Sequence, residues 1–175
     1  FLPPDNYQED RKPKVVMRTS STNIGLALLA VMASYDLKFE NLEDTLNLLY
    51  KMLETISGLT KWNGHLYNWY NIETLEPLIP KYVSSVDSGN FVGYLYVLKQ
   101  FLIEKRENKN DEIYQNLSSE EKKQNVQITP DVLNKIDFMI NVTDSLINNT
   151  DFSKLYDSEN RLFSIGFNVE ENKLT

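Results

Sequence analysis

Cysteine is absent from the 175 residues, which excludes disulfides and thiolate-ligated metal centres. Histidine occurs once, as His65, so imidazole clusters that hold transition metals are excluded too. Positive charge is in deficit, with 18 Lys and Arg against 25 Asp and Glu and a formal net charge of -7. That sign, and the lack of any basic patch interleaved with aromatics, argues against nucleic acid or an anionic membrane as the main partner. No apolar run reaches the roughly 20 residues needed to span a bilayer. The opening FLPPDNYQED has neither the basic nor the apolar segment of a secretory signal. No metal and no cofactor are expected.

What is present is a foldable chain. Apolar residues make up 41%, enough to build a core, so global disorder is not expected. The length suits one domain or a piece of a larger one. A start without Met and an end on Asn172-Lys173-Leu174-Thr175, with no closing element, read as an excised piece. The expected organisation is a single partial domain over 1–175. An extended strap with three prolines occupies 1–18, a helical region 19–150, and a β-hairpin-like segment 151–175.

The helical region alternates in character. Thr19, Ser20, Ser21 and Thr22 offer N-caps for a helix in which Ile24, Leu28, Val31 and Tyr35 keep helical spacing. Apolar residues fill its other faces, which predicts burial nearly all round. After a short link over 36–40, Asn41 and Asp44 resemble a capping box for a second helix ending near Ser57, with Gly58 as terminator. Its apolar stripe is Leu42, Leu46, Leu49, Leu53 and Ile56, so one side faces solvent. A third, mostly buried helix is expected from about Ser88 to Lys105, capped by Asp87 or Ser88. Gly89 and Gly93 are expected to let a neighbouring backbone or ligand approach. Thr129-Pro130 signals a fourth helix to about Asn148. The polar stretch between the third and fourth helices is expected to hold one short turn at 118–123. The closing RLFSIGFNVEENKL alternates with period two, with Phe163, Ile165, Phe167 and Val169 on one side, and predicts a strand or small hairpin.

Buried, amphipathic, buried, amphipathic: this order fits a toroid of paired inner and outer helices, and the same order also comes from an irregular helical bundle. Either way the class is mostly α with a minor β element.

Between the second and third helices lies the stretch Trp62 to Asn90, which holds both tryptophans and the only histidine. A structureless connection of this length is uncommon in a compact domain and is usually functional. Trp62, Tyr67, Trp69 and Tyr70 offer flat faces for sugar rings. Asn63, His65, Asn68, Asn71, Glu73 and Glu76 offer hydroxyl partners. The plainer reading is a small satellite core under a long loop. His65 beside Gly64 reads as a loop hydrogen-bonder rather than a metal ligand or base. Asp87, in Asp87-Ser88-Gly89-Asn90, either caps a helix or grips a substrate hydroxyl at the mouth of a pocket. Glycosidases need two carboxylates about 5 to 10 Å apart. Among Glu73, Glu76, Asp87, Glu170 and Glu171 no spacing compels a pair. The sequons at Asn116, Asn141 and Asn148 are read as coincidence in an Asn-rich chain.

Three segments carry a specific resemblance: RTSSTNIGLALLAVMASYDL, GHLYNWYNIETLEPLIPKYVSSVDSGNFVGYL and LYDSENRLFSIGFNV. They resemble consecutive parts of the glycoamylase-like region of cyclic β-1,2-glucan synthases, from about Arg18 to Val169. The resemblance implies the first half of an (α/α)6 toroid and a role on β-1,2-linked glucan as hydrolase or transglycosylase. It implies that Asn68, Trp69, Tyr70, Asp87, Ser88 and Asn90 line the sugar cleft, with Thr22 and Asn23 in support. In that family further helices follow, and the glutamates that look catalytic lie there. The catalytic residues are therefore expected C-terminal to this chain and the piece itself inactive. The parent is expected on the cytoplasmic side, held to the membrane only through its other regions. A second reading is a non-catalytic carbohydrate-binding or interaction module. Half a toroid also leaves the inner helix faces, 20–35 and 88–102, uncovered, which favours self-association.

Overall fold

The structure, a computed structural model, describes residues 1–9, 14–107 and 129–175. The expected turn at 118–123 and the sequon at Asn116 lie outside them. Four α-helices dominate the described residues: α1 (Ser21–Asp36), α2 (Leu42–Gly58), α3 (Ser85–Glu107) and α4 (Pro130–Asn149). None is long and apolar enough to cross a membrane.

Local chemistry explains the helix ends. Of the four hydroxyl residues from Thr19 to Thr22, Ser20 is the cap of α1, because its extended backbone lets its Oγ accept from the Asn23 amide at 3.1 Å. Asn41 caps α2 through the Asp44 amide at 2.9 Å, while its own amide nitrogen donates to Asp44 Oδ2 at 2.6 Å. Gly58 is the last residue of α2, but the orphan carbonyls are served by Lys61, whose Nζ donates to Ile56, Ser57 and Leu59 at 2.7 to 3.0 Å. Thr129 and Pro130 start α4, with Thr129 Oγ1 accepting from the Val132 amide. α3 corrects the expectation: it begins at Ser85, and Ser84 Oγ accepts from the Asp87 amide at 3.1 Å. Asp87 therefore sits inside the first turn, and neither it nor Ser88 is the cap.

The helices form two parallel pairs. α1 and α3 run side by side in the same direction, since Thr22 meets Asp87, Gly25 meets Tyr94 and Tyr35 meets Phe101. α2 and α4 are likewise parallel, joined by Lys135 to Asn47 at 2.6 Å and by Tyr50 on Phe138. α3 and α4 run antiparallel, with ion pairs Lys99 to Asp144 at 2.6 Å and Arg106 to Asp137 at 2.9 Å. The core lies between the pairs and is built on Ile24, Leu28, Leu46, Leu49, Leu53, Leu95, Leu98 and Ile136. The stripe expected on α2 is buried throughout.

α1 and α3 are not buried all round. Leu26, Tyr96 and Val97 are exposed, and an apolar groove of about 620 Å³ runs between the two helices, lined by Leu29, Met32, Tyr96, Val97 and Phe101. Their outer faces have no described element against them, so apolar composition alone overstated the burial. Gly89 and Gly93 are also corrected. Both are exposed with nothing near a Cβ position, whereas at Gly25 a Cβ would overlap the Tyr94 ring. Gly25 is the close-approach glycine.

The long connection is not structureless. β4 (Lys61–Trp62) and β5 (His65–Leu66) form a hairpin over Asn63-Gly64, whose φ values of 46° and 81° suit a tight two-residue turn. β6 (Tyr70–Asn71) pairs antiparallel with β3 (Arg18–Thr19) of the strap, whose β1 (Tyr7–Gln8) and β2 (Lys14–Val15) pair with each other. β7 (Tyr82–Ser84) feeds directly into α3. These strands are too short to show a period of two in sequence. The expected C-terminal alternation is broken: β8 (Tyr156–Asp157) and β9 (Leu162–Phe163) make one hairpin. β10 (Gly166–Asn168) crosses to pair with β7 and with β11 (Lys173–Leu174). Phe163 and Ile165 are accordingly exposed, and Phe167 is half-buried.

The glycines give opposed expectations. Gly25→Ala should lower stability by about 1 to 3 kcal/mol by forcing Tyr94 off α1. Gly93→Ala should raise it by about 0.5 to 1 kcal/mol, because an exposed helical glycine gains from a methyl group. Urea unfolding of the two variants checks both signs.

Candidate functional site

Parallel α1 and α3 bring their N-termini to the same end of the molecule, and the loop carrying Asn68 and Trp69 is folded over that end. Burial of Tyr70 fixes the loop. Its side chain is fully inaccessible, its hydroxyl donates to Thr60 O at 2.7 Å, and that hydroxyl accepts from the Tyr67 amide at 2.9 Å. Burial pushes its phenol well above the ordinary range. On either side, the Asn68 amide donates to Tyr82 O at 2.7 Å and Trp69 O accepts from the Leu78 amide at 2.9 Å. Asn68 and Trp69 are thus held half-buried at the surface.

Contacts between side chains then close a ring. Thr22 Oγ1 donates to Asp87 Oδ1. With the Asn68 amide oriented to satisfy both neighbours, its nitrogen donates to Asp87 Oδ2 at 3.3 Å and its oxygen accepts from Trp69 Nε1 at 3.2 Å. The Arg18 guanidinium lies over the Trp69 ring, 4.1 Å from its centroid. Arg18 pairs with Asp5 Oδ2 through Nε at 3.2 Å and Nη2 at 3.1 Å, and Asp5 Oδ1 accepts from Asn23 Nδ2 at 3.1 Å. Asn23 and Thr22 are neighbours on α1, so the circuit is complete. Asp87 lies where two helix dipoles present their positive ends, which favours negative charge there.

Most of the residues singled out from the sequence meet here: Asn68, Trp69, Asp87, Thr22 and Asn23. Ser88 is buried beside Asp87 with no partner for its Oγ among the described residues, and Asn90 is exposed one turn along α3. Tyr70 is the correction. Inaccessible and with its hydroxyl engaged, it cannot offer a face to a ligand and serves as the anchor of the loop. Tyr67 is buried beside it, and Trp62 stacks on Phe167 at 4.3 Å and 20°, so both fit the plainer packing reading. Glu73, Glu76, Glu170 and Glu171 are exposed in turns elsewhere. The other carboxylate on the ring, Asp5, is ion-paired. Sequence reasoning did not single out Arg18 or Asp5. Their role depends on the strap folding back along β6, which no local pattern signals. Among the described residues no cluster of His, Asp and Glu could hold a metal ion.

His65 lies in β5, away from the ring. It is buried, its Nε2 is 3.0 Å from Asp151 O, and its ring packs edge-on to Phe152. It is a hydrogen-bonder, as its setting suggested.

No protein-family model matches the chain. A stretch of 95 residues, 54% of the chain, is 50% identical to the cyclic beta-(1,2)-glucan synthase NdvB of Rhizobium meliloti (strain 1021), of which it spans 3%. In three dimensions 98% of the chain superposes on 36% of a candidate glucoamylase from Bacteroides fragilis NCTC 9343, with a TM-score of 0.70 and 14% identity. The first match is in sequence, the second in fold alone.

Burial holds His65 below its usual pKa, so the folded chain keeps it neutral while the unfolded chain takes up a proton below about 6.5. Below that pH the unfolded state binds more protons, and stability should fall as pH drops through 6.5. Asp151 and Asp157, whose values are lowered by their hydrogen bonds, add losses only in more acid solution. Urea midpoints at pH 7.5 and 5.5 should separate more for the wild type than for His65→Gln. Parallel losses in the two proteins would sink the assignment.

Proposed function

We propose that this chain is part of a glycoamylase-like domain that acts on β-1,2-linked glucan by hydrolysis or glycosyl transfer. The observation that carries the reading is the convergence of Asn68, Trp69, Asp87 and Thr22 at one end of α1 and α3, within a chain half of which is 50% identical to a cyclic β-(1,2)-glucan synthase. In this reading the indole receives the apolar face of a glucose ring. Asp87 and Asn68 take its hydroxyls, because a carboxylate and an amide offer acceptors and a donor at fixed angles. Asn90, exposed one turn along α3, extends the same lip, whereas Ser88 is buried and offers a ligand no surface.

The parallel pairing of α1 with α3 and of α2 with α4 supports the reading of the fold as part of an (α/α)6 toroid, with α1 and α3 inner and α2 and α4 outer. The catalytic carboxylates are proposed to lie C-terminal to this chain. A glycosidase needs a pair, and Asp87 has hydrogen-bonded partners on both oxygens with no second carboxylate among them. We place the domain on the cytoplasmic side of a membrane-anchored parent, the anchor being supplied by other regions. Uncovered apolar surface on α1 and α3 is proposed to favour self-association of the isolated piece. The occupied state of Asp87 also favours the second reading, a module that binds carbohydrate without cleaving it.

Titration of β-1,2-gluco-oligosaccharides against tryptophan fluorescence tests the binding. A saturable change is expected for the wild type, and Trp69→Ala or Asp87→Ala should weaken it at least tenfold. No saturable change would sink the reading. Reducing-sugar assays on the 175-residue chain should show no turnover. Turnover lost in Asp87→Ala and Glu76→Ala would place the chemistry within the chain after all.

A further inference from the structure

We infer that Arg18 is the positioning residue of this site: it fixes the plane of the Trp69 indole, and Asp5 fixes Arg18. The inference rests on the proposed function for the ligand, and on geometry alone for the positioning.

An arginine with close to half its side chain exposed, here 46%, ordinarily samples many rotamers. Arg18 has that freedom removed from three directions. Two of its nitrogens share Asp5 Oδ2, at 3.2 and 3.1 Å. Its carbonyl accepts from the Asp5 amide at 2.7 Å, so the same residue grips it through backbone and side chain. Asp5 is in turn tied to α1 by Asn23 Nδ2 at 3.1 Å. The guanidinium then lies over the indole face, while Asn68 holds the indole N–H edge at 3.2 Å.

A face and an edge together define the orientation of a planar ring. Arg18 takes one face, and in the proposed reading the opposite face is the one on which a sugar stacks. A platform fixed before the ligand arrives loses less freedom on binding, and this is how a residue with no ligand contact raises affinity. A lysine keeps the charge over the ring but loses the fork that two nitrogens make toward Asp5. The N-terminal strap is therefore a working part of the site through Asp5 and Arg18.

The test uses the full chain in a Trp62→Phe background, where phenylalanine keeps the stack on Phe167 and Trp69 is the sole tryptophan. Fluorescence anisotropy and acrylamide quenching report the freedom of Trp69, and titration with β-1,2-gluco-oligosaccharides reports affinity. Arg18→Leu should lower the anisotropy, raise the quenching and weaken binding roughly three- to tenfold, the range expected for losing a cation–π contact and the order it imposes. Arg18→Lys should restore part of each signal. Asp5→Asn, which leaves arginine and indole in place, should act in the same direction and less strongly, and it guards against a leucine variant that fails to fold. Unchanged anisotropy and quenching in both Arg18→Leu and Asp5→Asn would overturn the positioning. Altered signals with unchanged affinity would overturn its use in binding. If the wild type binds no glucan, the proposed function falls and takes the ligand with it, while the anisotropy still decides whether Arg18 fixes the indole.

Discussion

Tyr94 resting against the backbone of α1 at Gly25 is the contact on which the rest of the molecule depends. It sets α1 and α3 close together and in register. Because the two helices are parallel, that register also fixes where their N-termini fall. Thr22 then reaches Asp87 without either leaving its helix. A bulkier residue at position 25 would separate the helices and pull that pair apart, although Asp87 lies far from it in sequence. The site is thus a consequence of helix packing before it is a consequence of any loop.

The loop adds the second half of the constraint. Tyr70 is an aromatic side chain used as a peg, buried with its hydroxyl satisfied by Thr60 and Tyr67. Fixing it presents its neighbour Trp69 on the opposite side of the chain. Adjacent residues of an extended segment point to alternate faces, so a buried Tyr70 and a surface Trp69 belong together. Tyr67 is buried beside Tyr70 and Trp62 stacks on Phe167, so an aromatic cluster in sequence yields one platform rather than four.

The helices were legible because their signals are local. Asn41 with Asp44 and Thr129 with Pro130 name their own termini, and the α2 stripe names its own buried face. Class and element order followed from these. Strands of two or three residues left no period to read, so the region from Trp62 to Ser84 looked irregular. The sequence alone puts the start of α3 too late, because Asp87 and Ser88 are good capping residues and Ser84 is as good. Only the pairing of β7 with β10 decides among them. In the site, Asn68, Trp69, Asp87, Thr22 and Asn23 stand in motif-like segments and could be singled out. Arg18 and Asp5 belong to a strap whose partners are distant in sequence, and Tyr70 looked like a ligand residue because composition does not distinguish a buried ring from an exposed one.

The pairing of β7 with β10 carries a consequence for the order of events during synthesis. The first amide of α3, at Ser85, donates to the carbonyl of Ile165, a residue made long after α1, α2 and α3 have left the ribosome. Until β10 arrives, the junction from β7 into α3 lacks its partner strand and Asp87 stands on an unfinished helix start. Long-range pairing of this kind is slow to form, and chains fold as they emerge from the N-terminus. The helical frame is therefore expected to assemble early, with the binding end maturing last. A nascent chain from which α4 has emerged and β10 has not would display a folded scaffold with an incomplete mouth.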